Sequence, residues 1–150
     1  MTTRPLQPGD RTEWLRMRRA LWPDCTDEVH DLEIRLYEQK SDEVAVFVVD
    51  TGAPTLGGFI ELSVRDRVDG ALSERVGYVE GWYVAPELRG RGVGRRLMDA
   101  AEAWTRELGL TELGSDVELG NTASLRAHAA LGFKETFRLV HFLKRVGPGE

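Results

Sequence analysis

The chain has a single cysteine, Cys25, and no apolar stretch longer than the Val44 to Val49 run. One cysteine cannot form an internal disulfide, which agrees with a reducing compartment. The apolar run is far short of the roughly 20 residues that a membrane-spanning helix needs. The N-terminus also lacks the apolar segment of a signal peptide, so a cytoplasmic protein without membrane contact is expected. No segment is biased enough to predict a disordered arm, and neither an internal repeat nor a linker is evident. Positive charge is in deficit: the formal net charge is −5 at pH 7, so the surface as a whole repels nucleic acid. The 150 residues suffice for one domain, 1–150, that buries roughly two-thirds of its unfolded surface.

The segment from Arg75 to Leu108 organises the rest. It reads as a strand rich in β-branched and aromatic residues, a Pro-containing turn, alternating glycines and arginines, then a helix. Val93, Leu97, Ala100, Ala101, Trp104 and Leu108 recur at the spacing of one buried helical face. No Ser, Thr, Asp or Asn stands where it would cap that helix; Gly90, Gly92 and Gly94 do. Glycines allow close approach of the backbone, and free N–H groups at the positive end of a helix favour an anion. Arg89, Arg91, Arg95 and Arg96 add charge there, so the corner reads as a phosphate cradle. It lacks the Lys of a nucleoside-triphosphate loop, and its G-x-G-x-G spacing is not the G-x-G-x-x-G of a dinucleotide site.

In chain order, a short strand over 4–6 and a turn at Pro8-Gly9-Asp10, with Asp10 as helix cap, precede a helix carrying Trp14, Leu15, Met17, Leu21 and Trp22. A second helix runs from Asp27 to Gln39, packed through Leu32, Ile34, Leu36 and Tyr37. Strands follow over 44–49 and 55–64, then a charged loop to the central strand. After the long helix come a strand over 113–117, a helix from Asn121 to Leu131 capped by Asn121, and closing strands over 133–136 and 137–143.

The run Val84-Ala85-Pro86 with Arg89, Gly90, Gly92 and Gly94, between strand and helix, resembles the GNAT superfamily of acetyl-coenzyme A-dependent N-acetyltransferases. The order of elements matches, and so do Asn121, Ser124, Gly132 and Phe133 at the family's spacing, with His128 replacing a customary Tyr. The resemblance implies an α/β (α+β) fold with a central mixed, mostly antiparallel sheet flanked by helices. It further implies that acetyl-CoA is the co-substrate and that no metal is required. The loop Arg89, Gly90, Arg91, Gly92, Val93, Gly94 and Arg95 would hold the pyrophosphate, the backbone of Trp82, Tyr83 and Val84 the pantetheine arm, and Asn121 and Ser124 would complete the coenzyme site.

Acetyl transfer to an amine needs a base, a donor to the oxyanion and tolerance of the leaving thiolate. Period-two alternation predicts Tyr78, Glu80 and Trp82 on one strand face, so Glu80 stands between aromatic rings, where desolvation would make it a better base. Pairing with a nearby Arg is the plainer reading of the same carboxylate. The resemblance assigns the oxyanion to the Val84 N–H, freed by a bulge in the strand. His128 either protonates the thiolate or only packs beside the coenzyme. Cys25 has no partner base beside it and is not expected to be acylated.

In detail the chain is similar to the aminoglycoside 6'-N-acetyltransferases, through Leu21-Trp22-Pro23, Val79-Glu80-Gly81, Ser115-Asp116 and the run from Asn121 to Phe133. That similarity implies that Trp22, Glu80 and Asp116 line the acceptor site. An indole suits a sugar face, and carboxylates suit ammonium groups. Cys25, Arg67 and Phe137 depart from what relatives place there, which bears on drug range. A homodimer is expected, with residues 139–143 pairing across subunits. Two other readings stand beside this one: acetylation of another small amine or a protein N-terminus, and a coenzyme A-binding module without turnover.

Overall fold

A computed structural model describes residues 1–149. Strand β1 (Thr2–Pro5) is followed by helices α1 (Arg11–Leu21) and α2 (Asp27–Glu38), then strands β2 (Val44–Asp50), β3 (Leu56–Asp66) and β4 (Arg75–Val84). Helix α3 (Val93–Glu107), strand β5 (Leu113–Ser115) and helix α4 (Thr122–Ala130) complete the order. The strands form one sheet in the order β1-β2-β3-β4-β5, antiparallel throughout except for the parallel pairing of β4 with β5. That is the expected mixed, mostly antiparallel architecture.

Alternation along β2 and β3 sends apolar side chains to both faces of the sheet, and each face is covered. On one, Val49, Ile60, Leu62 and Val79 pack against Val93, Leu97, Met98, Ala101 and Trp104 of α3. On the other, Val46, Val48, Phe59 and Tyr83 pack against Trp14 and Met17 of α1 and Ile34 of α2. Of the α3 face read from the sequence, Val93, Leu97, Ala101 and Trp104 are buried, Ala100 is half-buried and Leu108 lies at the rim, while Met98 and Thr105 join the buried set.

Four local expectations are corrected. Asp10 does not cap α1 through its side chain; its carboxylate accepts from the Gln7 N–H at 2.8 Å and from Arg4 at 2.7 and 3.1 Å. In α2 the buried residues are His30 and Ile34, while Leu32 and Leu36 are exposed, because the helix turns its 30/34 stripe to the sheet. The alternation of β4 is broken: Glu61 of β3 faces Gly81, and Leu62 faces Val79, so Glu80 is an extra residue in the ladder. Trp82 therefore packs on the α3 side, away from Glu80. Finally, the closing strands over 133–136 and 137–143 are not formed. A strand needs a neighbour for its backbone groups, and the adjacent free edge belongs to the three-residue β5. Phe142 and Leu143 stand 93% and 94% exposed.

Candidate active site

The bulge at Glu80 shapes a groove of about 570 Å³ on the α1/α2 side of the sheet, lined by Trp22, Tyr37, Glu33, Glu61, Glu80 and Glu118 among others. Trp22 terminates α1, where its N–H closes the last turn onto the Arg18 carbonyl at 2.8 Å. Its ring lies over Gly81, the one residue type that fits, since a Cβ there would sit 2.5 Å from the indole. Phe59 meets the indole edge-on at 6.3 Å and the Arg18 guanidinium lies 4.7 Å above the ring, so Trp22 is held from several sides.

Beneath it runs a buried polar network. The Arg18 guanidinium pairs with Glu61, donates to Glu33 at 2.8 Å and to His30 Nδ1 at 3.1 Å, and Trp14 Nε1 donates to Glu61 at 2.8 Å. Burial pushes the Glu61 carboxyl up, against the pull of Arg18 and Trp14. The Tyr37 phenol is likewise pushed up by burial, with Glu61 next in importance. Cys25, His30 and Glu33 place donor atoms within 4.8 Å of one another. The Arg18 cation beside them, donating into the His30 ring, opposes a metal there.

Glu80 emerges from this face among polar partners, not between rings. Arg65 grips it with Nε on Oε2 at 2.8 Å and a terminal nitrogen on Oε1 at 2.6 Å, and the Ser63 hydroxyl donates to Oε2 at 2.5 Å. The plainer reading, a carboxylate paired with a neighbouring Arg, describes this arrangement. Tyr78 shares the face: its ring lies 3.8 Å beneath the Arg65 guanidinium, and its hydroxyl donates to Asp116 at 2.6 Å. Burial and that bond to Asp116 push the Tyr78 phenol up. Asp116 follows β5 and reaches this cluster through Tyr78, whereas Trp22 and Glu80 share the groove directly. Arg67, at a left-handed φ of 54°, is exposed in the loop joining β3 to β4, and Phe137 lies on the exposed C-terminal segment.

The glycine corner is open. Gly90 and Gly92 take φ of 77° and 82°, and among the described residues nothing beyond their chain neighbours lies within 4 Å of where their Cβ atoms would be. No side chain caps α3 and no acidic residue stands in its first turn, while Arg89, Arg91, Arg95 and Arg96 are exposed around it. Gly94 lies against Trp82, whose indole would be 3.0 Å from a Cβ at that position, and packs the helix start onto β4. These features fit a pyrophosphate.

Beyond Val79, β4 has no strand neighbour on its β5 side among the described residues. The Ala85 N–H donates to the Gly57 carbonyl across the β3 side at 2.9 Å. Successive residues of an antiparallel strand point their backbone groups to opposite sides, so the Val84 N–H and C=O face the open side. Arg89 Nε reaches that carbonyl at 3.1 Å. The irregularity expected at Val84 is instead at Glu80; Val84 is freed because β5 ends early. The Tyr83 side chain is buried against Phe59, and by the same alternation its N–H and C=O turn toward β3.

Asn121 caps α4 through a bond from the Ser124 N–H at 3.1 Å. His128, one turn on, lies edge-on to Trp82 at 5.2 Å and Phe133 at 5.1 Å. Its Nδ1 meets the Ser124 carbonyl at 2.7 Å and its Nε2 meets the Ser115 hydroxyl at 2.7 Å. A carbonyl only accepts, so Nδ1 carries the proton and Nε2 accepts from Ser115. This arrangement favours a packing role. The sequence reading missed Arg65, Ser63, Glu33, Glu61 and Glu118. Glu61 alone left a trace, as a charge inside the apolar run Phe59 to Leu62.

A five-strand sheet with an early-ending β5 and an uncapped glycine corner between β4 and α3 defines a class. The sequence model of the acetyltransferase (GNAT) family matches residues 14–133, and the chain belongs to that family. Among its relatives is aminoglycoside N(6')-acetyltransferase type 1 of Stenotrophomonas maltophilia, 40% identical over 98% of this chain and 95% of the relative. The Klebsiella aerogenes protein of the same name is 41% identical over 94% of each. Among solved structures, AAC(6')-Iy in complex with the bisubstrate analog CoA-S-monomethyl-acetylneamine superposes with a TM-score of 0.89, at 34% identity, over 97% of this chain and 98% of that one. AAC(6')-Ih of Acinetobacter baumannii superposes with a TM-score of 0.86 at 31% identity, over 97% and 99%. No helix among the described residues is long and apolar enough to cross a membrane.

Proposed function

We propose that this chain is an N-acetyltransferase that moves acetyl from acetyl-CoA directly to the 6'-amine of aminoglycosides, and so confers resistance to them. The observation that carries this reading is one strand with a site at each end of its exposed stretch. Glu80 opens into a carboxylate-rich groove beside Trp22, and Val84 leads to the glycine corner. A polycationic sugar fits the first, and a diphosphate fits the second.

When bound, acetyl-CoA supplies the activated acetyl thioester. The N–H groups at the start of α3, with Arg89, Arg91 and Arg95, hold its pyrophosphate, and the freed backbone of Trp82 and Val84 aligns the pantetheine arm. The Val84 N–H donates to the thioester oxygen. Trp22 stacks on the sugar, Glu80 takes the amine's proton directly or through water, and Asp116 adds charge next to Tyr78. Asn121 and Ser124 border the coenzyme. The whole chain works as one domain, in the cytoplasm, where acetyl-CoA is made.

The active form is a homodimer. Phe137, Leu139, Val140, Phe142, Leu143 and Val146 are exposed together on the C-terminal segment, and the same segment of a second copy is a partner that would cover them. Light scattering should give twice the chain mass, and a chain ending at Gly132 should lose it.

Release of free coenzyme A with kanamycin-type drugs, and none with their 6'-hydroxyl analogues, is the expected assay result. Equal silence with both, with turnover on another amine of the panel, would replace the acceptor. Binding of acetyl-CoA without turnover on any amine would remove the catalytic reading.

A further inference from the structure

Glu80 is not free to receive an amine. Both of its oxygens are taken by the Arg65 fork, at 2.8 and 2.6 Å, and Oε2 also accepts from Ser63. An ammonium group needs those same oxygens. The Arg65 side chain is 45% exposed, so it is held by its partners and not by burial. Its guanidinium already lies over the Tyr78 ring, 3.8 Å from the ring centre, a cation-binding face that keeps hold of it if Glu80 is taken. The Tyr78 hydroxyl in turn holds Asp116, whose negative charge already acts on Arg65.

The geometry points to Arg65 as a specificity-determining stand-in for the acceptor's ammonium group: it keeps Glu80 until a multiply charged amine displaces it along the Tyr78 ring toward Asp116. The inference rests on Glu80 being the acceptor's amine site. A singly charged amine must break a two-pronged pair with one cation. A polycation also engages Glu33 and Glu118 in the same groove, so its displacement of Arg65 becomes an intramolecular event. Arg65 thus selects against simple amines, by repulsion as well as by occupying the carboxylate. It acts by yielding a position, so its signature is in the choice among acceptors.

The test compares a kanamycin-type drug with 6-amino-6-deoxyglucose, which carries one ammonium group, on the wild-type protein, Arg65→Met and Arg65→Lys. In Arg65→Met the ratio of kcat/KM for drug over amino sugar should fall about tenfold, the factor that one lost charge-assisted contact commands. The fall should come mainly from a lower KM for the amino sugar, and Arg65→Lys should restore the ratio. An unchanged ratio in folded Arg65→Met overturns the inference. A measurement on the unaltered protein makes the test independent of folding in the variant: the Arg65 Nε–H resonance in a nitrogen-proton spectrum, assigned by its loss in Arg65→Lys. It should move on saturation with the drug and stay put with acetyl-CoA alone; no movement with the drug overturns the inference. Glu80→Gln separates the two layers. Full turnover in that variant removes Glu80 as the amine site, whereas lost turnover with an unchanged Arg65→Met ratio removes only the role of Arg65.

Discussion

Glu61 and Gly81 face each other across β3 and β4, and the next matched pair, Leu62 with Val79, leaves Glu80 with no partner in the ladder. The extra residue turns Glu80 and Gly81 toward the same face, one giving the groove its carboxylate and the other its floor beneath Trp22. Gly81→Ala should displace the indole, since the new Cβ would lie 2.5 Å from it. Overpacking of this kind costs about 1–3 kcal/mol. The acceptor KM should rise several-fold while the acetyl-CoA dissociation constant stays unchanged, as read by steady-state kinetics and calorimetry.

Arg18 and Glu61 are 1% and 2% exposed and pair inside the sheet–helix interface. Removing one member leaves a buried charge alone, which costs about 3–5 kcal/mol, whereas removing both with apolar residues is often close to neutral. Arg18→Met should therefore lower the urea midpoint sharply, and Arg18→Met with Glu61→Leu should recover most of it. Equal losses in single and double variants would show that packing, not the unpaired charge, sets the cost.

The elements legible in the sequence were those whose period or caps are local. The α3 stripe from Val93 to Trp104, the Asn121 cap and the glycine corner all depend on neighbours within a turn or two, and they lie where the spacing put them. Trp22 and Glu80 were legible as a pair through the resemblance, and the groove unites them. What escaped depends on partners remote in sequence. Glu80 and Trp82 part company because of a mismatch against β3, which alternation along β4 alone does not encode. Arg65 reaches Glu80 from 15 positions away, and Arg18 reaches Glu61 from 43 away. The closing strands failed for the complementary reason: Phe137, Leu139, Val140 and Phe142 suit a strand by residue type, yet a strand exists only against an edge that receives it.

Acid should loosen the N-terminal corner. Arg4, together with the Gln7 N–H, holds the Asp10 carboxyl below its ordinary value. A carboxyl with a lowered folded pKa contributes stability that is present above the unfolded value, near 3.8, and is lost as pH falls through the folded one. Glu13 follows the same sign, lowered by Arg16 and by the Leu56 N–H. Asp10→Asn should cost about 1–3 kcal/mol at pH 7. Its stability curve should then converge on that of the wild type as pH falls below 3.8 and through the lowered folded value, where the wild-type carboxylate is protonated. Parallel curves through that range would remove Asp10 from the acid response.

Gly92 holds φ at 82° at the entrance to α3, with open space where a side chain would project. Gly92→Ala meets no clash, so its fold cost should stay near the roughly 1–2 kcal/mol of a left-handed L-residue. If the corner holds a diphosphate, the added methyl intrudes on the ligand. Acetyl-CoA affinity should then fall at least tenfold while drug binding to the free enzyme is retained, and calorimetry with each ligand separates the two.

His128 tests whether the departing thiolate needs a protein acid. Its Nδ1 is committed to the Ser124 carbonyl and its Nε2 to the Ser115 hydroxyl, and its ring fits edge-on between Trp82 and Phe133. To donate a proton from Nε2, the ring would have to gain one and give up Ser115. His128→Phe keeps the ring packing and removes both nitrogens. A general acid typically contributes a factor of about 10²–10⁴, so its removal would slow turnover by that much and erase the matching limb of the pH–rate profile. The packed arrangement leads to a different expectation: kcat within about threefold of wild type, an unaltered profile, and a modest stability loss of about 1 kcal/mol from the unpaired Ser115 hydroxyl. A hundredfold fall in kcat with the fold intact would reverse this assignment and make His128 the acid.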